Sequence, residues 1–453
     1  MTRQVLLTTV RGALAAISLT MACAPADDPP VAETMPPADI VADGPLAARI
    51  DAYAAPLAAR GEFSGVVLVG SRDAILFARA YGMSDYTSDA PNRLETGFRV
   101  ASITKTFTSA AVLRLRDEGK LELDDRLSRF APDFPRGDEI TIRHLLLHRS
   151  GLRNPDYLEA FERSIGLDEL VDRIAARGLA FDPGTDGAYS NAGYNVLAHV
   201  VERASGTTYE DYLRQTILAP LGMETTDHDG SPARGYLPAP PPVIRVVPPE
   251  ADPVGFMIGS GSLVSTAPDL WRWARAVADE RIVGWKDLEW PYGWGRVEIG
   301  EHEGIEQTGA TTGFMSSLLV FPDGDRFVVV LHNVEYGPWT SFGKDIAAIA
   351  FGEERAPPPA REPYALDPGS LEQYAGRYSE ADTTLTVRAE EGQLRMYYND
   401  WPIGKYLVPT SASRFAPLGD GGEIVFAGER DGVFSELSWR FGDSGTTYRR
   451  GDR

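Results

Sequence analysis

The sequence predicts an α+β domain followed by a small all-β domain, and three observations carry that prediction. Apolar runs of strand length open and close the first three quarters of the chain, segments with helical spacing lie between them, and alternating apolar and polar residues fill the tail. With 453 residues, 43 % apolar and 24 % charged, the chain can bury more than one core and is neither disordered nor fibrous. Its 44 basic and 65 acidic residues give a formal charge of −21, which removes the basic footprint that nucleic acid or an anionic bilayer requires. The one cysteine, Cys23, excludes an internal disulfide framework, a cysteine-ligated zinc site and an iron–sulfur cluster.

At the N-terminus, Arg3 and Arg11 precede an apolar run over 12–22, too short to span a bilayer but fitting the core of an export signal. Cys23 ends that run in a setting similar to a bacterial lipobox, with Thr20 where Leu is usual, so residues 1–23 read as the signal peptide of a lipoprotein lipidated at Cys23. The alternative is a signal peptidase site at Ala22-Cys23-Ala24 or Ala24-Pro25-Ala26. Both place the protein outside the cytoplasm, in the periplasm or anchored to a membrane. Residues 24–44, rich in proline and acid, form a tether.

The first globular domain is expected over 45–352. Gly65 to Val69 and Ala74 to Phe77 read as a strand pair, Thr104 to Leu115, Leu167 to Ala176 and Tyr194 to Val201 as helices, and Ser316 to Phe321 and Phe327 to Leu331 as strands joined by Pro322-Asp323-Gly324. Early and late strands around central helices imply a sheet closed by chain-distant partners. Seven prolines between Pro238 and Pro253 mark a rim or lid loop. Residues 353–366 form a Pro-rich linker, and the tail over 367–453 is a small β domain with strands at Thr384 to Val387, Gln393 to Tyr398, Glu423 to Phe426 and Phe434 to Phe441.

Two patterns imitate chemistry. Gly442-Asp443-Ser444-Gly445 resembles a trypsin-type nucleophile motif, but it lies between strand-like runs and reads as a hairpin turn. His144 and His148 stand at i, i+4, yet the glutamate of a His-Glu-x-x-His site is missing, so they are taken as structural and no metal is expected. Nor is there a Gly-x-Ser-x-Gly elbow, a P-loop or a Gly-x-Gly-x-x-Gly turn, and no cofactor is implied.

Ser102-Ile103-Thr104-Lys105 opens a helix, and the i, i+3 spacing sets a hydroxyl and an amine on one face. A neutral lysine can take a serine proton; arginine cannot. Only five of the 44 basic residues are lysines (105, 120, 286, 344 and 405), so Lys105 is less readily filler. Tyr189-Ser190-Asn191 precedes a helix, where a phenolate would accept the serine proton and Asn191 would bind a substrate carbonyl. Gln307-Thr308-Gly309 precedes a strand, and its small residues let a substrate lie along the edge.

These three motifs, in this order, resemble the serine beta-lactamase and penicillin-binding-protein superfamily, in its class C beta-lactamase, D-aminopeptidase and carboxylesterase branch. Glu118 to Asp125, Ile142 to Leu152, Pro220 to Met223, Gly261 to Ala267 and Tyr292 to Gly295 look like that family's connecting segments. The resemblance implies a beta-lactamase/transpeptidase-like sandwich, with a mixed, mainly antiparallel sheet, an all-α part and Ser102 at the base of the cleft between them; the tail resembles a lipocalin-like barrel. It implies Ser102 as the acylated nucleophile, Lys105 and Tyr189 sharing the proton work, Asn191, Gln307, Thr308 and Gly309 binding substrate, and the backbone N–H groups of Ser102 and Ala310 as oxyanion hole. One departure stands out: the family's third motif opens with Lys or His, and here it is Gln307. His302-Glu303-Gly304 offers a rival, but Gly313-Phe314 and the strand after it align with Gln307.

The expected protein is an exported serine hydrolase forming an acyl-enzyme on an ester, amide or D-amino-acid peptide, with small-molecule or peptide substrates, cell-wall peptides included, as partners. A beta-lactamase or DD-carboxypeptidase is the first alternative, and a non-catalytic binder of cell-wall peptides or penicillin the second.

Overall fold

The computed structural model describes residues 40–41, 44–155, 165–228, 230, 232–238, 244–246, 254–284, 292–335, 339–360, 364–381, 383–399, 404–418, 422–442 and 444–451. The export signal, Cys23 and most of the Pro-rich segment after Pro238 lie outside the described residues.

Seven strands make one sheet: β1 (Ile40–Val41), β2 (Gly65–Gly70), β3 (Ile75–Tyr81), β4 (Gly295–Ile299), β5 (His302–Thr311), β6 (Phe314–Phe321) and β7 (Arg326–His332), in the order β1-β3-β2-β7-β6-β5-β4. The expected closure by chain-distant strands is the β2–β7 pairing, in register from Gly65 opposite His332 to Gly70 opposite Phe327. Every strand pairing in this sheet is antiparallel, and the parallel component of a mixed sheet is reduced to an isolated bridge between Tyr236 and Val334 among the described residues.

Helices cover both faces, which is why β2 and β6 are buried along their whole length and read as unbroken apolar runs. Successive side chains point to opposite faces. Val67, Val69, Val328 and Val330 meet the helices α1 (Pro45–Ala59) and α8 (Trp339–Ala350), whereas Val66, Leu68, Val329 and Leu331 join the larger core with α2 (Thr104–Asp117) and α7 (Ala267–Ala278). Beyond α2 stand α3 (Ile142–Leu146), α4 (Leu167–Ala176), α5 (Asn191–Ser205) and α6 (Tyr209–Leu213), the all-α part. α2 is buried almost throughout, so it is the spine between sheet and helices.

The tail is a closed eight-stranded barrel running from Gly376–Glu380 to Ser444–Arg450, each strand paired antiparallel with its neighbours and the last with the first. Its interior is filled by side chains, among them Tyr374, Tyr378, Phe415, Phe426 and Phe434, as a barrel of this size requires. Phe441 pairs with Ser444, which opens the last barrel strand, as the hairpin reading of the trypsin-like tetrapeptide expects; Asp443 lies outside the described residues. The structural reading of the two histidines also holds: α3 ends at Leu146, His144 completes the cap of that helix with Thr141, and His148 lies beyond the helix at φ 58°.

Candidate active site

Ser102 sits in a single 3-10 turn, Ala101–Ile103, from which α2 continues. Ala101 has φ 46°, a left-handed conformation that is uncommon for a residue with a side chain and one that concentrates at functional turns. Beside the Ser102 turn, α5 is started by Ser190, whose hydroxyl accepts the Gly193 N–H at 3.1 Å and donates to the Leu152 carbonyl. With Ser190 locked as cap, Tyr189 lies just before the helix and Asn191 is its first residue.

These elements bring four predicted side chains together. The Ser102 and Tyr189 hydroxyls are 2.7 Å apart, and Lys105 Nζ lies 3.1 Å from Ser102 Oγ and 2.8 Å from Asn191 Oδ1. Nζ also donates to the Ser260 carbonyl at 2.6 Å. Lys105 is 1 % exposed, and desolvation holds its pKa well below the ordinary 10.5; no ion pair with a carboxylate supports its charge among the described residues.

The donor count fixes what this amine offers. Asn191 Oδ1 and the Ser260 carbonyl can only accept, so they take both N–H bonds of a neutral amine and leave its lone pair facing the Ser102 hydroxyl. Tyr189 is shifted the other way. Although 56 % of its surface is exposed, burial around its hydroxyl raises the phenol pKa, against a smaller lowering by the Ser102 hydrogen bond. A phenol so placed is protonated at neutral pH, whereas Lys105 is poised to accept.

The third predicted motif lies on β5, with Gln307, Thr308 and Gly309 opposite Leu318, Ser317 and Ser316. A Cβ on Gly309 would stand 2.2 Å from the Val100 carbonyl oxygen and 3.0 Å from the Ser102 nitrogen, so only glycine lets β5 lie against the Ser102 turn. Ser316 reinforces that contact by donating to Val100 O at 2.8 Å. Ala310 follows and is exposed. Gln307 turns its amide to the neighbouring Thr308 carbonyl at 2.9 Å, and it brings no charge.

The beta-lactamase family profile matches residues 50–352. The chain belongs to the beta-lactamase family. It is a family of serine hydrolases, penicillin-binding proteins and esterases, and the chain shares its fold. Penicillin-binding protein 4* of Bacillus subtilis (strain 168) is 27 % identical over 434 residues, 85 % of this chain and 95 % of that protein. Esterase EstB of Burkholderia gladioli is 34 % identical over 275 residues, 51 % of this chain and 70 % of that one. The octameric penicillin-binding protein homologue from Pyrococcus abyssi superposes with a TM-score of 0.60 at 22 % identity, covering 89 % of this chain and 99 % of that chain, a likeness of fold that includes the region of the barrel.

Two supports of this beta-lactamase-type site carry no signal of their role in the sequence. The His148 ring lies between those of Tyr189, 4.7 Å away, and Tyr194, 5.1 Å away, and its Nδ1 accepts the Ser190 N–H. Burial and the neighbouring Lys105 push its pKa down to about 4, so it is a neutral wedge behind Tyr189. Asn195, one turn beyond Asn191, holds the Ser260 segment through the Ile258 carbonyl at 2.7 Å. The sequence signal for both was the connecting segments around them, which name no role.

Proposed function

We propose that the protein is a cell-envelope serine hydrolase that forms an acyl-enzyme through Ser102, with uncharged esters or amides as its preferred substrates. The observation that carries this reading is the buried Lys105, whose two N–H bonds are occupied and whose lone pair faces the Ser102 hydroxyl. Lys105 takes the proton of Ser102 as Oγ attacks the carbonyl carbon. The oxyanion is received by the backbone N–H groups of Ser102 and Ala310. Collapse breaks the bond to the leaving group, which takes a proton from the Tyr189 hydroxyl; Lys105, now an ammonium 4.9 Å from the centre of the Tyr189 ring, then returns a proton to the phenolate. Water then adds to the acyl carbon by the same route in reverse, releasing the acid and restoring Ser102.

Fluorophosphonate labelling with hydrolysis of p-nitrophenyl butyrate tests the reading. One mole of label per mole of protein and turnover are expected, both lost in Ser102→Ala with the fold intact. Absence of labelling in the natural protein, with tight binding of cell-wall peptides, would instead make it a non-catalytic receptor.

Substrate preference rests on Gln307. A neutral amide replaces the cation that lysine-bearing relatives hold there, and a charge-assisted hydrogen bond is about twice as strong as a neutral one. Penicillins and cephalosporins carry an obligatory carboxylate, so their recognition should be about 5–30-fold weaker, on the order of 1–2 kcal/mol. Gln307→Lys is expected to raise nitrocefin turnover relative to p-nitrophenyl butyrate; efficient nitrocefin hydrolysis by the natural protein, unimproved by the substitution, would refute the preference. The relation to the D-alanyl-D-alanine-carboxypeptidase/endopeptidase AmpH of Escherichia coli (strain K12), 31 % identical over 209 residues, favours a second reading, hydrolysis of D-amino-acid peptides, which D-amino-acid p-nitroanilides would reveal. Export and a lipid on Cys23 complete the proposal, and loss of membrane association in Cys23→Ser tests them.

A further inference from the structure

We infer that the C-terminal barrel braces the oxyanion strand of the catalytic domain through a three-part relay, Lys405 to Glu335 to Gly313. Lys405 opens the barrel strand Lys405–Pro409, and its Nζ lies 2.6 Å from Glu335 Oε1. Glu335 follows β7 in the catalytic domain and is 9 % exposed. Its other oxygen, Oε2, accepts the Gly313 N–H at 3.2 Å. Gly313 belongs to the turn between β5 and β6, whose last pairs are Ala310 opposite Met315 and Thr311 opposite Phe314.

Two features make this a support for the reacting centre. The turn is wedged into place: Gly313 has φ +79°, and a Cβ there would stand 2.8 Å from the Gly235 backbone, while a Cβ on Gly235 would stand 2.7 Å from the Phe314 ring. Glu335 in turn is fixed by its own backbone, its N–H donating to the Tyr236 carbonyl at 2.9 Å, and the Tyr236 hydroxyl donating to Asp85. The carboxylate therefore has a fixed base, one oxygen for the turn and one for the barrel. A carboxylate this buried needs a compensating charge. Lys405, one of five lysines in the chain, supplies it from a different domain. Loss of the ammonium would leave Glu335 to draw in water or rotate, loosening the Gly313 bond and the strand that carries Ala310.

Lys405 and Glu335 are thus positioning residues, and the inference rests on the reading of the Ala310 N–H as an oxyanion donor. Removing such a donor outright costs roughly 10²–10³-fold in kcat, so loosening its strand should cost about tenfold. In the full-length protein, Lys405→Met is expected to lower kcat on p-nitrophenyl butyrate about tenfold with KM within about twofold, the pattern of a contact made only in the transition state. Lys405→Arg should restore most of the rate, and Lys405→Met with Glu335→Gln should be no slower than either alone, since both break one relay. Hydrogen exchange over residues 305–320 should quicken in Lys405→Met, an effect that a barrel acting only as ballast would not produce. If Lys405→Met does not fold, Lys405→Gln is judged by the same readouts. Unchanged kcat and exchange, or effects that multiply in the double variant, would overturn the inference. A natural protein that hydrolyses no ester or amide would sink the proposed function alone, because the exchange measurement still decides whether the barrel braces the turn.

Discussion

In the proposed mechanism the chemistry turns on Lys105. Its burial lowers the amine pKa, so the neutral, proton-accepting form gains as pH rises through that lowered value, far below 10.5. Tyr189 is shifted oppositely and keeps its proton to pH values above the ordinary 10.0. The expected kcat/KM profile therefore rises as pH passes through the lowered Lys105 value and falls only above pH 10, where Tyr189 loses its proton. A profile centred on acid pH with a fall before pH 9 would assign the base to another group. His148 does not set the acid limb: at a pKa of about 4 it is neutral where the protein works, and it meets the reaction only through the Tyr189 ring. Lys105→Arg should be nearly as damaging as Ser102→Ala, a loss of roughly 10³-fold or more, because a guanidinium stays charged and has no lone pair to offer. Single-turnover acylation measures it, and wild-type-like acylation would remove Lys105 from the proton path.

At the scale of elements, the site is a contact between one turn and one strand, and Gly309 sets its width. A methyl group there would meet backbone oxygen 2.2 Å away, which cannot move aside as a side chain could. Gly309→Ala should push β5 off the Ser102 turn, lowering kcat by about 100-fold for a stability loss of about 1–3 kcal/mol. A thermal melt beside steady-state rates checks it, and a near-normal kcat would show that the strand tolerates displacement. Which parts of this were legible in the sequence follows from range. Ser102 with Lys105, and Tyr189 with Asn191, are local spacings on elements whose own periodicity was readable. Gly65 to Val69 and Ser316 to Phe321 were equally plain, because burial on both faces makes them wholly apolar. The barrel strands Gly376–Glu380, Lys405–Pro409, Arg414–Pro417 and Ser444–Arg450 carry no clear strand signal in the sequence: two end in proline, the last is largely exposed, and none alternates cleanly. The His148 wedge and the Glu335–Lys405 pair join residues 41 and 70 positions apart in the chain, separations at which neither spacing nor composition carries a signal.

For the whole molecule, the charge of −21 adds a long-range term to the neutral anchor at Gln307. An anionic substrate approaches against the field of an acidic protein, and that repulsion reaches about 10 Å at 0.1 M salt but about 30 Å at 0.01 M. A neutral ester feels no such field. Raising sodium chloride from about 10 mM to about 200 mM should therefore increase kcat/KM for an anionic substrate such as nitrocefin by several-fold, leaving p-nitrophenyl butyrate within about twofold. Gln307→Lys acts at the point of contact, so it should raise the nitrocefin rate at both salt concentrations while leaving most of the salt dependence in place. The two effects separate on one plot of rate against ionic strength: the local charge sets the height of the line, and the molecular charge sets its slope. A line for the natural protein that falls with added salt would mean that a basic patch at the cleft mouth outweighs the acidic surface, and the preference for uncharged substrates would then lose its electrostatic basis.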